Sequence, residues 1–546
     1  MYRQRRFYLG MLILVVAVVA VLALACGSSA TATPQPTAVP QATASPVPTK
    51  APVPVATAAP QPVYGGTLRY AIKFDANSMD PAFTLGEPST LVSYLIFNQI
   101  VRLGTQMDIQ PELAESWDVS ADGKKVTFHL RTGIKFTDGT NFNATAAKWN
   151  LDRCLSADVP CVSKTKINTI SSVVALDDAT LVINLKNPYR PILAALAEFA
   201  GFMVSPTAVE KHKSYSNPTG DFGAKPVGTG AFTFDEWLSQ QRITVSKNPN
   251  YWDKGKPYLD KIIFQSIPAG ETALAMLRTG NSDVMSEATA DNRNLVKDNL
   301  ALKVDRFESG RVYHLLLNVN KPPFDNKALR QAMHYAYDRN TMIKTFYEGE
   351  GRPAFAVLGD GWAYDPTVKM YDYDLAKAKA KLAEAALPAG TTVPMFCRTN
   401  ASDLTICEAV QAMMKAAGIN VVLDQVSPAD FTPRRAKGEF GFYYSYRTPL
   451  GDPHLFISEM YQAGGRGNYA KYSNAQVNTV MDQAAQEFDV AKAKALYTQM
   501  QKLILEDSPT VYSMYSVEYV ILNAKIKNFK RTPDLDVKLR DLWLEK

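Results

Sequence analysis

The residues of this 546-residue chain best suited to ligate a metal or attack a carbonyl are five histidines, His129, His212, His314, His334 and His454, and five cysteines. Their spacing does not support either chemistry. A zinc hydrolase needs two histidines one helical turn apart with a glutamate between them, and no HExxH occurs. The cysteines Cys154 and Cys161, like Cys397 and Cys407, have neither close two-residue spacing nor an adjacent histidine. Phosphate chemistry would call for GxxxxGK[ST] and an acyl-transfer serine for GxSxG, and both are missing. Gly228-Thr229-Gly230 lacks the third glycine of a dinucleotide fingerprint and reads as a turn between strands. Scattered Asp and Glu define no glycosidase pair. The formal charge is +6, with Arg3, Arg5 and Arg6 contributing half of it, and no dense basic run is interleaved with aromatics. Nucleic acid is therefore not an expected partner. The expectation is a protein that is not an enzyme, with no cofactor and no metal site.

The elements that would carry a binding function begin outside the folded body. Arg3, Arg5 and Arg6 precede an apolar run over 7–25 that ends Ala23-Leu24-Ala25-Cys26-Gly27. A basic head, an apolar stretch and small residues before a cut describe an export signal over 1–25. The run is also long enough to span a bilayer, so a retained anchor is the alternative. The boundary resembles the lipobox of bacterial lipoproteins, in which the cysteine, here Cys26, is lipidated and becomes the first residue; Ala23 stands where leucine is usual. Residues 26–63 are rich in Pro, Thr and Ala with a single charge at Lys50, a composition that gives a semi-extended tether of about 3.1 Å per residue. With Cys26 lipidated, four cysteines remain in a disulfide-permissive compartment. Three pairings are open. Nearness favours Cys154 with Cys161 and Cys397 with Cys407, and four unpaired thiols are the alternative.

Hydrophobic residues at 46% and charged residues at 21% describe a folded chain, and its length exceeds the roughly 250–300 residues that one core can serve. Strands and helices interleave across 64–546. Residues 66–72 read as an opening strand, and Ser89 as the cap of a helix carrying Leu91, Leu95 and Ile96. Val126, Phe128 and Leu130 alternate with polar residues, as do Leu181, Ile183 and Leu185, which predicts half-buried strands. Asn143 is placed to cap a helix running through Trp149 towards Cys154. Further helices are predicted at 327–346, 374–387, 403–417 and 489–506. The class is mixed α/β without an internal repeat.

GGTLRYAI (65–72), MDPAF (79–83), PELAESWDVSADGKKVTFHLRTGIKFTDGT (111–140), PVGTGAFTF (226–234), NPNYWDKGKPYLDKIIF (248–264), LRQAMHYAYDR (329–339) and EDSPTVYSMY (506–515) follow one another in this order. The series resembles the family 5 solute-binding proteins of ABC importers, the dipeptide, oligopeptide, nickel and opine group, over essentially all of 64–546. That resemblance implies a two-lobed periplasmic-binding-protein-like clamshell with mixed sheets and an extended lobe I. It implies lobe I from 64–317 with 515–546, lobe II from 318–514, and a hinge where the chain crosses near 317–320 and 513–515. Such a protein closes on a small-molecule ligand and presents the closed form to the permease of an ABC transporter. A monomer, held outside the cytoplasm at the membrane by a lipid anchor, is the expectation. A sensor feeding a chemoreceptor, or an extracytoplasmic hydrolase, is the alternative.

The resemblance also assigns a pocket. VPMFCRTN (393–400) places Arg398 where dipeptide binders hold the ligand carboxylate, a contact that suits a planar guanidinium. In YYSYRTPLGDPHLF (443–456), Asp452-Pro453 sets the register, which puts Tyr446 at an aromatic wall and Pro449 where those binders hold the ligand ammonium with an aspartate. Proline cannot do so, and Arg447 beside it favours an anion. Asp452 is a candidate substitute, and Gly86 and Glu87 belong to the loop whose backbone faces the ligand. The expected ligand is a small organic solute bearing a carboxylate, peptide-like or opine-like but not an ordinary dipeptide.

Overall fold

The computed structural model describes residues 61–84, 87–267, 270–449, 451–532 and 537–546. The export signal, Cys26, nearly all of the tether and Gly86 lie outside them, and the side chain of Glu87 is likewise not described. Among the described residues no helix is long and apolar enough to cross a membrane.

Two strands organise the molecule. Leu302–Leu317 and Thr510–Asn523 pair antiparallel along most of their lengths at the middle of a mixed sheet of eleven strands. On one side the sheet continues through Phe442–Arg447, Val393–Arg398 and Val421–Val426. On the other it runs through Val284–Met285, Thr67–Ile72, Lys261–Ser266, Arg242–Lys247 and Phe232–Leu238, and the short strand Arg352–Pro353 pairs with Thr510–Asn523. Parallel pairing at 67–72 with 261–266, and at 393–398 with 421–426, makes the sheet mixed. The ladder of the two long strands shifts register twice: Ser309, Gly310 and Arg311 stand opposite Ser516 alone, with the Ser309 and Ser516 hydroxyls hydrogen-bonded at 2.8 Å, and Ser513 falls between the pairs Tyr313–Met514 and His314–Tyr512.

Separate cores lie along this sheet, as expected of a chain too long for one. Tyr70, Phe97, Phe232 and Phe264 centre one. Met333, Met395 and Phe442 belong to a second, and Tyr443, Tyr461 and Met500 to a third. A fourth, around Phe128, Leu151 and Ile183, is built on a separate antiparallel sheet of Ala114–Val119, Lys125–Leu130, Thr180–Leu185 and Ile170–Ala175. Its alternation is plain in the sequence: Val126, Phe128 and Leu130 are buried while Lys125, Thr127 and His129 are not. Burying a large apolar side chain contributes about 1.5–3 kcal/mol, so one such strand commits its register firmly.

Helix Ala144–Leu155 starts where Asn143 accepts a hydrogen bond from the Ala146 amide, as its sequence indicates. Two predictions change. The helix expected over 327–346 is two, Lys327–Ala336 and Arg339–Phe346, because Asp338 leaves helical geometry to accept from the Thr341 amide and cap the second. The helix expected to start at Ser89 begins at Glu87, and the Ser89 hydroxyl instead donates to Asn77 at 3.3 Å.

Candidate functional site

Strand Phe442–Arg447 carries the tyrosines and arginine singled out in the sequence, and its pairing with 302–317 decides what they face. Tyr446 stands opposite Tyr313, and Arg447 opposite Val312. Successive side chains of a strand leave opposite faces, so Tyr446 and Arg447, neighbours in sequence, belong to different surroundings. On the Tyr446 face, Tyr313 is the hub of an aromatic group, its ring centroid 5.3 Å from Tyr446, 5.4 Å from Tyr347 and 5.6 Å from Tyr444. The Tyr347 and Tyr444 hydroxyls share a hydrogen bond of 3.1 Å. Burial holds the phenols of Tyr313 and Tyr347 protonated far above the usual range.

Arg311, from the break in the long-strand ladder, enters the same face. Its guanidinium lies 4.2 Å from the Tyr446 ring centroid, its Nη1 is 3.2 Å from Glu518, and its Nε donates to Thr448 at 3.4 Å. Burial disfavours this charge, yet Glu518 raises the Arg311 pKa on balance, so the guanidinium keeps its charge beside that carboxylate. Next to it the backbone has no room for a side chain: a Cβ on Gly310 would sit 2.5 Å from Cγ of Pro449. Glycine at 310 is what allows Pro449 to pack against the break.

The other face is basic. Arg447 lies over Tyr469 at 5.5 Å and beside Gly467, whose Cβ would be 3.3 Å from its Nη2. Burial, and then the Arg447 charge, press the His314 pKa down to about 3, so this histidine is a neutral core residue. Among the described residues no carboxylate comes within salt-bridge distance of Arg447.

Asp452 and Arg398 are both engaged within the protein. Asp452 caps helix Pro453–Tyr461 by accepting from the His454 amide at 2.8 Å, and its other oxygen meets Arg190 at 2.8 Å. Its side chain is 6% exposed, and burial raises its carboxyl pKa against the pull of Arg190. The neighbouring Gly451 amide donates to Glu198 at 2.7 Å, and Glu198 also pairs with buried Lys166 at 2.9 Å. The loop from Thr448 to Asp452 is thus fastened at both ends to residues more than a hundred positions away. Arg398 ends strand Val393–Arg398; its Nε pairs with Asp403 and its guanidinium lies 4.4 Å from the Phe431 ring centroid. Cys397 is joined to Cys407 and Cys154 to Cys161, with Cα separations of 6.4 and 5.1 Å. Among the described residues no cluster of three His, Cys, Asp or Glu could hold a metal ion.

Sequence reasoning did not find Arg311, Glu518, Tyr313, Tyr347 or Arg190. Tyr444 and Tyr446 do carry a signal, their two-residue spacing within an apolar run. Glu518 and Arg311 have none, since only the pairing of the long strands brings them together.

Residues 108–469 match the family described as bacterial extracellular solute-binding proteins, family 5 middle. The glutathione-binding protein GsiB of Shigella flexneri is 30% identical over 455 residues, 81% of this chain and 87% of its own. The periplasmic binding protein DppA of Helicobacter pylori, solved with the peptide STSA, superposes with a TM-score of 0.79 at 27% identity, over 89% of this chain and 99% of its own. The binding protein AgaA of A. tumefaciens R10, solved with agropinic acid, gives 0.77 at 27% identity over 88% and 99%.

Proposed function

The chain belongs to family 5 of the bacterial extracellular solute-binding proteins, and from this premise we propose that it captures a carboxylate-bearing organic solute for an ABC importer. The substrate-binding role is that of the family. The observation that carries the ligand class is the uncompensated Arg447 charge beside Pro449: the Thr448–Asp452 loop offers no carboxylate to a ligand ammonium, since Asp452 is committed to Arg190. Relatives named for glutathione and agropinic acid support the same chemistry. Arg398 remains a candidate for the ligand carboxylate if Asp403 releases it; Tyr446 leaves the opposite face of the strand from Arg447 and is a candidate wall only for a separate part of the ligand.

The proposed lobes are 64–317 with 515–546, and 318–514. Support comes from Thr510–Asn523, whose Val511 and Tyr512 join the cores on one side of the sheet and whose Val520 and Leu522 join the core on the other. The break at Ser309–Arg311 supports a first bend several residues before 317–320. Closure about such a bend gives a permease a shape to recognise. The protein is proposed to act as a monomer outside the cytoplasm, tethered by lipid on Cys26 after removal of 1–25, and to carry out no bond-making of its own.

Native mass spectrometry of the purified full chain tests the reading, followed by thermal unfolding with glutathione and with agropinic acid. A co-purified carboxylate-bearing molecule, or a rise in Tm with either compound, is expected. An empty protein indifferent to both overturns it. Cys26→Ser should move the protein from detergent to the aqueous phase on partition; unchanged partition overturns the lipid anchor.

A further inference from the structure

Arg398, Arg435 and Arg447 lie against Phe431, Tyr443 and Tyr469, Arg434 lies against Phe396, which stacks on Phe431, and the pairing of these arginines and of Arg466 is uneven. Arg398 has Asp403, Arg434 has Asp424 and Glu439, and Arg466 reaches Glu459 at 4.0 Å. Arg435 and Arg447 have no carboxylate within 4.0 Å among the described residues. Both lie against one ring: the guanidinium carbons are 4.3 Å and 5.5 Å from the Tyr469 centroid, and so within about 10 Å of each other. Arg435 also approaches Phe431 at 5.5 Å and Tyr443 at 5.9 Å, and its Nε is buried without a hydrogen-bond partner.

Two half-buried cations against one aromatic ring repel each other and have lost part of their hydration. A ring quadrupole contributes about 0.5–2 kcal/mol to one cation and does not cancel the repulsion between two. Buried charge is ordinarily compensated by an opposite charge, and even the more exposed Arg398 and Arg434 have carboxylate partners. The missing partner is an anion with oxygens to share between two planar forks, and a carboxylate has that geometry. Tyr443 and Tyr469 add polar tips to an apolar wall. Gly467 lets the backbone pack close to Arg447, because a Cβ there would press on its Nη2 at 3.3 Å. Arg447 comes from the end of a sheet strand and Arg435 from helix Pro428–Ala436, so the two are held by different elements.

We propose that Arg435 and Arg447, both lying against Tyr469, form a two-arginine clamp for a carboxylate of the transported solute. The clamp rests on the solute-binding reading and names the chemistry at one end of that site. Arg435 is a binding residue that the sequence alone gave no reason to single out.

Arginine labelling with phenylglyoxal, mapped by mass spectrometry on the full chain, tests the clamp without knowledge of the solute. Millimolar succinate should protect Arg435 and Arg447 and leave the exposed Arg242 as reactive as before. Equal reactivity of all three with and without succinate overturns the clamp. Calorimetry with glutathione and with its diethyl ester separates the clamp from the reading beneath it. Esterification, Arg435→Gln and Arg447→Gln should each weaken binding by about tenfold or more, the loss of one charged hydrogen bond, and the variants should no longer distinguish acid from ester. Tight glutathione binding that survives both substitutions overturns the clamp and leaves the transport reading standing. Succinate protection in a protein that binds neither glutathione nor agropinic acid keeps the clamp and overturns the transport reading. Arg435→Lys retains charge without the planar fork; it should fold as the parent does, by circular dichroism, and bind between parent and Arg435→Gln. Parent-like affinity in that variant overturns the bidentate geometry.

Discussion

Two arginine–aspartate pairs, Arg190–Asp452 and Arg398–Asp403, have the same composition and opposite physical character. The first joins residues 262 positions apart, with side chains 17% and 6% exposed. The second joins residues five apart at a strand-to-helix turn, with 34% and 27% exposed. Arg190 is further enclosed by Trp362 at 4.3 Å and by the Tyr497 hydroxyl, so its charge has nowhere else to go. Arg398 has water within reach. A buried pair is hard to break because the survivor stays charged and dry, whereas an exposed pair contributes little and exchanges readily. The difference separates a residue that builds the loop from one free to serve a ligand.

Breaking the buried pair should have the largest effect. Asp452→Ala leaves Arg190 uncompensated and also removes the cap of helix Pro453–Tyr461, and a loss of about 3–5 kcal/mol is expected in urea unfolding. Asp452→Asn keeps a capping oxygen and isolates the charge; it should fall between parent and alanine. A cost below about 1 kcal/mol for the alanine variant would remove the distinction between the two pairs.

Next comes the bond beside Arg398. Cys397 with Cys407 closes a loop of sequence separation 10, which constrains the unfolded chain by about 3 kcal/mol. The double serine variant should lose about that much stability and, because Arg398 is anchored only locally, should also weaken whatever binding Arg398 contributes. An unchanged Tm in oxidising buffer would show that the bond does not constrain the protein.

Acid should act on the buried side of the comparison and spare the exposed one. His454 lies beside Arg190, and burial together with that charge lowers its pKa to about 4. The unfolded chain takes up a proton near pH 6.5 that the native state refuses, so stability falls as pH drops from 6.5 towards 4. His314, lowered to about 3, acts in the same direction. Asp452 acts against them: its raised carboxyl contributes stability at low pH that is lost as pH rises through its folded value. His334 adds to the histidine side and Asp305, Asp360 and Asp482 to the carboxyl side, so the His454 contribution is read as the difference in the pH dependence of Tm between parent and variant. His454→Phe should gain in Tm relative to the parent as pH falls from 6.5 towards 4.

How much of this was legible beforehand follows from the range of each interaction. The strand of Val126, Phe128 and Leu130 and the Asn143 cap are written in spans of six residues or fewer, and they are where the spacing put them. The break at Asp338 was hidden because apolar residues continue across it, and only the capping bond to Thr341 reveals the stop. In the site, the motif register singled out Tyr446 and Arg447, but their opposite faces depend on where the strand starts and on its pairing with 302–317. Arg190, Arg311 and Glu518 meet their partners only through the folded topology, and no local pattern points to them.

The smallest expected effect falls on Asp403, and it bears directly on Arg398. Asp403→Asn removes one member of a solvent-reachable pair, so stability should change by about 1 kcal/mol or less. Its effect on binding has the opposite sign from a structural lesion. With Asp403 neutral, Arg398 keeps its place over Phe431, 4.4 Å from the ring centroid, but has no competing carboxylate. If Arg398 takes a ligand carboxylate, Asp403→Asn binds glutathione more tightly than the parent while Arg398→Ala binds it more weakly, both at nearly parent stability. Equal affinity in all three proteins assigns Arg398 to the turn alone, and leaves recognition of the anion to Arg447 at the same end of the neighbouring parallel strand.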